Sequence, residues 1–371
     1  MKLSIDRSAL LRALNHVQSV VERRNTIPIL SNVLMKAEDG VLALSSTDMD
    51  LEINESVAAN VTMAGATTAP AGTFHEIVRK LPDEAEVEIE LNAEGTQITV
   101  RSGRSKFKLS CLPVADFPEI STGDLPSGFS LPASDLRALI DRTKFAMSTE
   151  ETRYYLNGIY LHEADNDGVK VLRAVSTDGH RLARFEMPLP EGAADMPAVI
   201  IPRKAIGEIR KLIEDAADLI QITLSENKIR FAFDHIVLTS KLIDGTFPDY
   251  QRVIPQGNDK IVEIDPKVFS RAIDRVSTIS DGKSHALKIT LDGKLMTLSA
   301  SSPEAGSATE ELEVNGDANM EIGFNAKYLL DITSQIEGEG CRLTLADSAS
   351  PTIIQDNSDP SSLYVLMPLR V

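Results

Sequence analysis

The feature that most constrains this chain is an internal repeat. A Leu-Arg-Ala-Leu motif at 11–14 recurs 125 positions later at 136–139. A Ser-Thr-Asp motif at 46–48, set between two apolar, strand-like runs, recurs 130 positions later at 176–178 in the same setting. The Arg-Ala pair of the first motif appears a third time at 271–272. Three copies of about 125 residues fill the 371 positions, and each copy has the usual size of a domain.

Each copy has the same order of predicted elements. A strand precedes a helix with apolar residues at helical spacing, and several strands, a second helix and further strands follow. Few helices among many strands favour an α+β fold in which each domain packs two helices on antiparallel sheets. The six predicted helices are 4–24, 72–81, 134–146, 202–214, 266–277 and 325–337. Turn-forming linkers at 121–128 and 255–259 divide the chain into domains 1–125, 126–257 and 258–371.

Composition argues against several classes of protein. No stretch approaches the roughly 20 apolar residues of a membrane-spanning helix, and charge begins too early for a signal peptide. Cys111 and Cys341 lie far apart without metal-ligand or redox spacing, as expected of reduced thiols in the cytoplasm. Asp48 and Asp50 could face one side of a strand as a metal pair, but no further ligands are spaced around them. We therefore expect a cytoplasmic protein without a metal or a cofactor.

The charge of the chain is unevenly distributed. The formal net charge is −17, which by itself argues against a nucleic-acid partner. The six predicted helices, counted together with Asp265, sum to +6, so the rest of the chain carries −23. Helices that share one face could follow a phosphate backbone while the acidic remainder repels nucleic acid elsewhere. Alternatively, the basic residues decorate solvated helix faces, and composition leaves both interpretations open.

The sequence carries no standard catalytic signature. It contains no glycine-rich phosphate loop of standard spacing, no His-Glu-x-x-His motif and no Gly-x-Ser-x-Gly elbow. The Asp-Gly pair at 178–179 predicts a tight hairpin whose glycine takes a positive φ. His180, next to this turn, is the candidate acid–base residue, and the alternative is a hairpin residue that bonds locally. An enzyme that uses His180 with Asp178 and a repeat scaffold that binds only proteins are therefore competing functions.

The chain ends on an apolar run instead of a polar tail. Residues 363–371 are almost entirely apolar. Most termini fray, so such a run is either the last strand of a sheet or part of a binding surface. Met367 suits an adaptable apolar pocket, and the residues after Pro368 fit the edge of a sheet less well.

Motifs along the whole chain resemble one family. They include Arg-Tyr-Tyr-Leu-Asn-Gly, Thr-Asp-Gly-His-Arg-Leu and Met-Pro-Leu-Arg. The nine collinear motifs lie at 26–32, 101–105, 112–118, 153–158, 177–182, 202–204, 247–250, 323–325 and 367–370. On these motifs the chain resembles the bacterial replicative sliding clamp, the beta subunit of DNA polymerase III.

The resemblance implies a fold and a function. Two chains would close head to tail into a ring of similar domains, with the helices lining the hole and the sheets forming the rim. The basic helices would then face double-stranded DNA and contact its phosphates without reading its sequence. Such a clamp performs no catalysis and confers processivity on the replicative polymerase. An apolar pocket would bind short linear motifs of the polymerase III catalytic subunit, the clamp loader, other polymerases and repair proteins.

The resemblance also assigns residues to three surfaces. It implies DNA contacts for Arg24, Tyr154, Tyr155, Arg203 and Lys204, while Glu150 stands where the family often has Gln. It implies a peptide pocket of Leu156, Thr177, Gly179, His180, Arg181, Leu182, Pro248, Arg252, Val253, Asn325, Tyr328, Val365, Met367, Pro368, Leu369 and Arg370. It implies a dimer interface of Arg104, Lys106, Phe107 and Leu109 against Thr278, Ile279, Glu304, Glu310 and Glu311. Because 305–308 is poor in acid, we expect this interface to depend less on charge than in the family.

Overall fold

Aspartate side chains cap the starts of two of the repeated helices. The structure, a computed structural model, describes residues 1–21, 26–121, 123–214, 216, 219–280 and 285–370. Within these ranges the α-helices are α1 (Arg7–Val17), α2 (Ala71–Lys80), α3 (Ala133–Asp141), α4 (Arg203–Leu212), α5 (Pro266–Ser277) and α6 (Ala326–Thr333). Asp6 caps α1 by accepting the backbone N–H groups of Ser8 and Ala9, and Asp265 caps α5 in the same way.

The first predicted helix is too long at both ends. Ser4 and Ile5 belong to a strand that runs into the capping residue Asp6, so the helix begins at Arg7. It ends at Val17, where a 3₁₀ turn over Gln18–Val20 replaces it. The predicted helices 134–146 and 325–337 are also shorter in the structure, ending at Asp141 and Thr333. Apolar spacing continues into such turns, so periodicity alone overestimates helix length.

The chain forms two compact units. The first comprises Met1–Leu136, Glu191–Pro197 and Lys204–Leu242. Its strands are β1 (Lys2–Asp6), β2 (Asn32–Glu38), β3 (Val41–Thr47), β4 (Leu51–Ala58), β5 (Asn60–Met63), β6 (Gly65–Pro70), β7 (Glu86–Leu91), β8 (Gln97–Ser102), β9 (Ser105–Ser110), β10 (Ser127–Pro132), β15 (Leu219–Leu224), β16 (Lys228–Phe233) and β17 (Ile236–Lys241). They form a sheet ordered β10-β15-β16-β17-β4-β3-β2-β6 and a smaller sheet ordered β5-β1-β7-β8-β9.

The second unit comprises Arg137–Pro190, Ala198–Arg203 and Ile243–Val371. Its strands are β11 (Gly158–Asn166), β12 (Val169–Thr177), β13 (Arg181–Pro188), β14 (Val199–Pro202), β18 (Lys260–Ile264), β19 (Ala286–Asp292), β20 (Leu295–Ser302), β21 (Gly306–Glu313), β22 (Asn315–Gly316), β23 (Asn319–Asn325), β24 (Cys341–Leu345), β25 (Thr352–Asp356) and β26 (Ser362–Leu366). They form a sheet ordered β14-β11-β12-β13-β26-β25-β24-β18-β22 and another ordered β21-β20-β19-β23.

Each large sheet joins strands from two copies of the repeat. In the first unit β17 pairs antiparallel with β4, placing Ser240 opposite Leu51. In the second unit β26 pairs antiparallel with β13, placing Leu366 opposite Arg181. The described ladders are antiparallel, which confirms the predicted α+β class. Because a sheet continues from one copy into the next, the compact units cut across the repeat, and the predicted boundaries of the three domains stay a prediction.

Several strands escaped the sequence prediction. β5 is a short edge strand with mostly exposed residues, so it shows no apolar alternation. β6 consists of small residues and Thr (Gly-Ala-Thr-Thr-Ala-Pro), which also lack a clear pattern. The strands that lead into the two Ser-Thr-Asp turns are β3 and β12, and they extend as far as Thr47 and Thr177.

Candidate functional site

The second hairpin turn is held by its own side chains. The Asp178 Oδ1 atom accepts the backbone N–H of His180 at 2.9 Å and that of Arg181 at 3.0 Å. The Gly179 N–H donates to Thr177 Oγ1 at 3.1 Å, and Gly179 has φ +88°. The positive φ confirms the role predicted for this glycine. The strands close between Thr177 and Leu182, so the turn is wider than a two-residue hairpin.

The Arg181 side chain is held in place by several contacts and is not a free surface charge. Its guanidinium donates to Asp178 Oδ2 at 3.1 Å and to Asp331 Oδ2 at 2.5 Å, and also to the carbonyl oxygen of Phe145 at 2.6 Å. The guanidinium carbon lies 4.2 Å from the ring centroid of Tyr328 and 5.2 Å from that of Phe145. The side chain is only 9% exposed. Ion pairs and cation–π contacts therefore lock it between the hairpin and α6.

His180 belongs to the rim of this site and does not form a dyad with Asp178. Its imidazole stacks on Tyr328, with ring centroids 6.5 Å apart. Both carboxylate oxygens of Asp178 are already used by backbone N–H groups and by Arg181. The His180 carbonyl accepts the backbone N–H of Met367 at 2.9 Å, which joins the turn to the residue after β26. The geometry gives no support to an acid–base pair of His180 with Asp178.

An apolar floor lies beside the turn. Leu156, Leu182 and Val365 share one buried core cluster with Phe247 and Tyr250. Met367, directly after the strand that supplies Val365, is 41% exposed. A buried apolar floor next to an exposed, flexible Met side chain is suited to an apolar peptide anchor.

A buried polar network supports a second segment of the candidate site, residues 247–253. The Tyr250 hydroxyl is 3.0 Å from Arg173 Nη1 and 3.1 Å from His162 Nε2. Arg173 Nε donates to Glu186 Oε2 at 2.8 Å, and both side chains are buried. Burial lowers the pKa of His162 below its ordinary value, which keeps this imidazole neutral and able to accept a hydrogen bond. Motif reading gave Arg173, Glu186 and His162 no role, because they lie far from Tyr250 in the sequence.

The wall supported by this network is the segment 247–253. The ring of Phe247 stacks on Tyr160, with centroids 4.7 Å apart and an angle of 6° between the planes. Tyr250 is buried in the same cluster. Between and after these two anchors the predicted pocket residues Pro248, Arg252 and Val253 are exposed. The anchors thus hold the predicted pocket residues at the surface.

The remaining predicted pocket residues lie along the C-terminal segment and α6. The Asn325 side chain caps α6 by accepting the Tyr328 N–H at 3.3 Å. Leu369 donates its backbone N–H to the Gly323 carbonyl at 2.8 Å, so the segment after Pro368 runs along the edge strand β23. A cavity of about 610 Å³ follows this segment. Its lining includes Pro368, Leu369 and Arg370 together with Gly323, Ser348 and Ala349.

Arg153 is a residue of this site that the sequence prediction missed. It forms a two-pronged ion pair with Glu150, Nε to Oε2 at 2.8 Å and Nη2 to Oε1 at 2.5 Å. A Cβ atom at Gly179 would lie 2.6 Å from Arg153 Nη1, so the absent side chain lets the guanidinium approach the turn. Arg153 stands inside the Arg-Tyr-Tyr motif at 153–155, which was the available signal. The same ion pair holds the pKa of Glu150 below its ordinary value.

The predicted DNA contacts are mostly engaged within the protein. Tyr154 is exposed and packs edge to face on Tyr155, with centroids 5.8 Å apart. Arg203 donates to the carbonyl oxygens of Met147 at 2.7 Å and Ser148 at 2.5 Å, and burial lowers its pKa. Lys204 forms an ion pair with Asp48 at 2.5 Å. Arg24 lies outside the described residues.

The predicted dimer residues lie on two sheet edges of opposite charge. Lys106, Phe107 and Leu109 are on β9, an edge of the five-stranded sheet, and Arg104 precedes it. Glu310 and Glu311 are on β21, an edge of the four-stranded sheet, and Glu304 precedes it. Thr278 and Ile279 follow α5. Glu310 already pairs with Arg275 of α5, Oε1 to Nη2 at 2.5 Å, and this pairing lowers the pKa of Glu310.

The described residues contain neither a metal-binding cluster nor a membrane-spanning helix. No group of three or more His, Cys, Asp and Glu side chains among them is placed to hold a metal ion. None of the described helices is both long and apolar enough to span a membrane.

Comparisons with known proteins match the whole chain. Family models of the DNA polymerase III beta subunit match at 1–121 for the N-terminal domain, 130–249 for the central domain and 251–370 for the C-terminal domain. The chain is 52% identical to the beta sliding clamp of Caulobacter vibrioides over 372 residues, covering 100% of both chains. It is 38% identical to that of Escherichia coli K12 over 373 residues, again covering 100% of both chains.

Solved structures agree with these relatives. A crystal structure of the Caulobacter crescentus beta sliding clamp matches with a TM-score of 0.98 at 52% identity, covering 100% of this chain and 99% of that chain. A sliding clamp from Bartonella birtlesii, bound to griselimycin, matches with a TM-score of 0.97 at 49% identity and full coverage of both chains. The fold and the matched models define a three-domain clamp protein of bacterial DNA replication. The chain belongs to the family of the DNA polymerase III beta subunit, the beta sliding clamp.

Proposed function

We propose that this chain is a sliding clamp that encircles duplex DNA, confers processivity on the replicative polymerase and recruits partner proteins through the apolar pocket. Two copies close head to tail into the ring. The protein acts in the cytoplasm without catalysing a reaction, and its domains are 1–125, 126–257 and 258–371. The observation that carries the proposal is the convergence of the second hairpin, the segment 247–253 and the C-terminal segment around one apolar floor.

The pocket geometry fits an extended peptide with apolar anchors. Leu156, Leu182 and Val365 provide the floor. Exposed Met367 can adapt to an inserted side chain, and exposed Val253 adds apolar surface. Arg181 cannot be withdrawn cheaply because three hydrogen bonds hold it, so this wall is preorganised. Short linear motifs of the polymerase III catalytic subunit, the clamp loader, other polymerases and repair proteins would supply peptides of this kind.

The DNA-facing surface is proposed to include Arg24, Tyr154, Tyr155, Arg203 and Lys204. Contacts of this kind with the phosphate backbone carry no sequence information, so they allow movement along DNA. A topological link then replaces tight binding as the reason why the protein stays on DNA.

Retention on circular DNA tests the clamp function. The protein is loaded onto nicked circular DNA, and its retention at high salt is measured before and after the circle is linearised. We expect retention on the circle and loss on linearisation, because a ring can slide off a free end. Retention that is unchanged on linear DNA and sensitive to salt would mean ordinary surface binding. An enzyme using His180 would instead show turnover that is lost in His180→Ala.

The dimer contact is proposed to join the β9 edge of one chain to the β21 edge of the other. Both edges end their sheets, and Lys106 on β9 complements the acidic residues of β21. Because Glu310 is paired internally and 305–308 lacks acid, apolar contact through half-buried Phe107 carries more of the interface, whereas the predicted interface residue Leu109 is already buried in its own chain. Sedimentation equilibrium at increasing salt should therefore show a dimer dissociation constant with little salt dependence. A steep dependence would contradict this interface.

A further inference from the structure

We propose that Asp48 is an internal competitor for DNA phosphate at Lys204. Lys204 would then contact DNA by exchanging one anionic partner, the Asp48 carboxylate, for another, a phosphate oxygen. This inference rests on the proposed function, in which Lys204 contacts duplex DNA.

The two side chains form a close contact at the start of α4. Lys204 Nζ lies 2.5 Å from Asp48 Oδ2, with the side chains 38% and 11% exposed. The same ammonium lies 3.4 Å from the carbonyl oxygen of Val20. The lysine is therefore already oriented and partly buried before any DNA arrives, with 38% of its side chain still exposed.

The first hairpin turn fixes the Asp48 carboxylate. Its Oδ1 atom accepts the backbone N–H of Asp50 at 2.9 Å and that of Leu51 at 2.7 Å. These two hydrogen bonds leave Oδ2 pointing to Lys204, and the carboxylate cannot turn away without breaking them. A charge-assisted partner is thus held permanently beside the ammonium.

Competition follows from charge and from hydrogen bonding. A carboxylate and a phosphate oxygen are both anionic acceptors, and an ammonium paired with one is less available to the other. The Asp48–Lys204 pair has no net charge, so at distances beyond the pair its attraction for DNA largely cancels. When Lys204 turns to a phosphate, the Asp48 charge is left close to the DNA and repels it. Each contact is therefore weak and short-lived, as movement along DNA requires.

Asp50 provides a matched control on the same turn. It is two residues away and forms its own ion pair, Oδ1 to Lys241 Nζ at 2.9 Å, with both side chains well exposed. Asp48→Asn and Asp50→Asn change the net charge equally. In Asp48→Asn the side-chain oxygen remains able to accept the turn N–H groups, so the hairpin is retained. A difference in DNA affinity between the two variants therefore depends on where the negative charge is removed, because the amount of charge removed is the same.

The experiment measures the affinity of the full-length protein for a short linear fluorescent duplex across a range of salt concentrations. We expect Asp48→Asn to bind about 3- to 10-fold more tightly than the wild type at low salt, with a salt slope steeper by up to about 0.9, as for one additional phosphate contact. Asp50→Asn should differ from the wild type by less than about 2-fold, as expected for a screened surface charge.

A double-mutant cycle with Lys204→Ala completes the test. We expect the gain in DNA affinity from Asp48→Asn to disappear in the Lys204→Ala background, because no lysine ammonium is then present for Asp48 to withhold from the phosphate. Equal gains from Asp48→Asn and Asp50→Asn, no gain from either, or a gain that persists without Lys204 would each overturn the inference while leaving the clamp function intact. A wild-type protein that is neither bound to the duplex nor retained on circular DNA would overturn the proposed function, and the inference with it.

Discussion

The two Ser-Thr-Asp hairpins have the same backbone and different surroundings. In both, the Thr hydroxyl accepts the N–H of the residue two positions on, at 3.0 Å in the first turn and 3.1 Å in the second. In both, the Asp Oδ1 accepts the next two turn N–H groups. A residue at the end of a strand of the neighbouring copy also donates its backbone N–H to each turn. Lys241, the last residue of β17, donates to the Asp50 carbonyl at 2.8 Å, and Met367, which follows β26, donates to the His180 carbonyl at 2.9 Å.

Side chains make one hairpin a charged surface and the other a wall of the proposed pocket. At the sixth position, counted from the Ser of the motif, the first hairpin has buried Leu51, which offers Asp48 no cation within the turn, and the Asp48 carboxylate pairs with Lys204 instead. The second has Arg181, which takes the carboxylate of Asp178 for itself. Beside the turns, Lys241 pairs with Asp50, whereas Met367 leaves an apolar surface. The repeat thus specifies a turn geometry, and the neighbours of that turn decide its use.

Replacing Arg181 with leucine, the residue at the corresponding position of the first hairpin, should have the largest effect on stability and on peptide binding. Arg181→Leu removes the contacts to Asp178, Asp331 and the Phe145 carbonyl and leaves two carboxylates without their cation. We expect the stability of the second unit to fall by about 3 kcal/mol, as when one partner of a buried pair is removed. Calorimetric unfolding measures this loss, and fluorescence anisotropy of an extended apolar peptide should show at least about 10-fold weaker binding.

Arg181→Lys is the control for this replacement. It keeps the charge but has a single ammonium that cannot serve all three acceptors, so we expect an intermediate loss. An unfolding temperature of Arg181→Leu equal to that of the wild type would show that the ion pairs contribute nothing.

Exchanging the residues with positive φ should have opposite effects in the two turns. Met49 has φ +79° and Gly179 has φ +88°. Met49→Gly should stabilise the protein by about 0.5 kcal/mol, because relief of left-handed strain exceeds the entropic cost of glycine. Gly179→Met should destabilise it by about 1 kcal/mol and displace Arg153, whose Nη1 atom would be 2.6 Å from the new Cβ.

Thermal unfolding of both variants measures this exchange. Met49→Ala is the control, since it shortens the side chain without relieving the strain and should leave the stability near that of the wild type. Destabilisation by Met49→Gly would mean that the methionine contacts outweigh its backbone strain.

Exchanging the residues beside the turns should have the smallest effect on stability. Lys241→Met removes an exposed ion pair with Asp50, and exposed pairs contribute less than about 1 kcal/mol. We expect it to change stability by less than about 0.5 kcal/mol and to create no peptide site, because the floor of the second unit is absent there. Met367→Lys should likewise fold normally but weaken peptide binding by about 3- to 10-fold through loss of apolar contact.

Peptide titrations of the two variants check this comparison. Peptide binding at the first hairpin of Lys241→Met, detected in an Arg181→Leu background where the second site is disabled, would show that a single side chain separates the two surfaces. Unchanged peptide affinity of Met367→Lys would remove Met367 from the pocket.

Local patterns in the sequence determined the repeat, the α+β class and the two turns. Apolar spacing located the six helices, and Asp6 and Asp265 mark the starts of two of them. Hydrogen bonds within a few residues, such as those of Asp178, depend on the local chain alone, so Asp-Gly predicted the positive φ at Gly179. Helix ends and the small-residue strand β6 were less accessible, because packing decides them.

Only the tertiary structure decided which side chains meet. Asp48 and Lys204 are 156 positions apart, and Arg181 and Asp331 are 150 apart. Nothing near Tyr250 in the sequence indicates that Arg173 will bond to its hydroxyl. A whole-chain resemblance named most residues of the pocket, but it could not show that Arg181 is locked or that Lys204 is already paired. Those properties depend on distances between remote segments, and such distances exist only once the sheets have joined one copy of the repeat to the next.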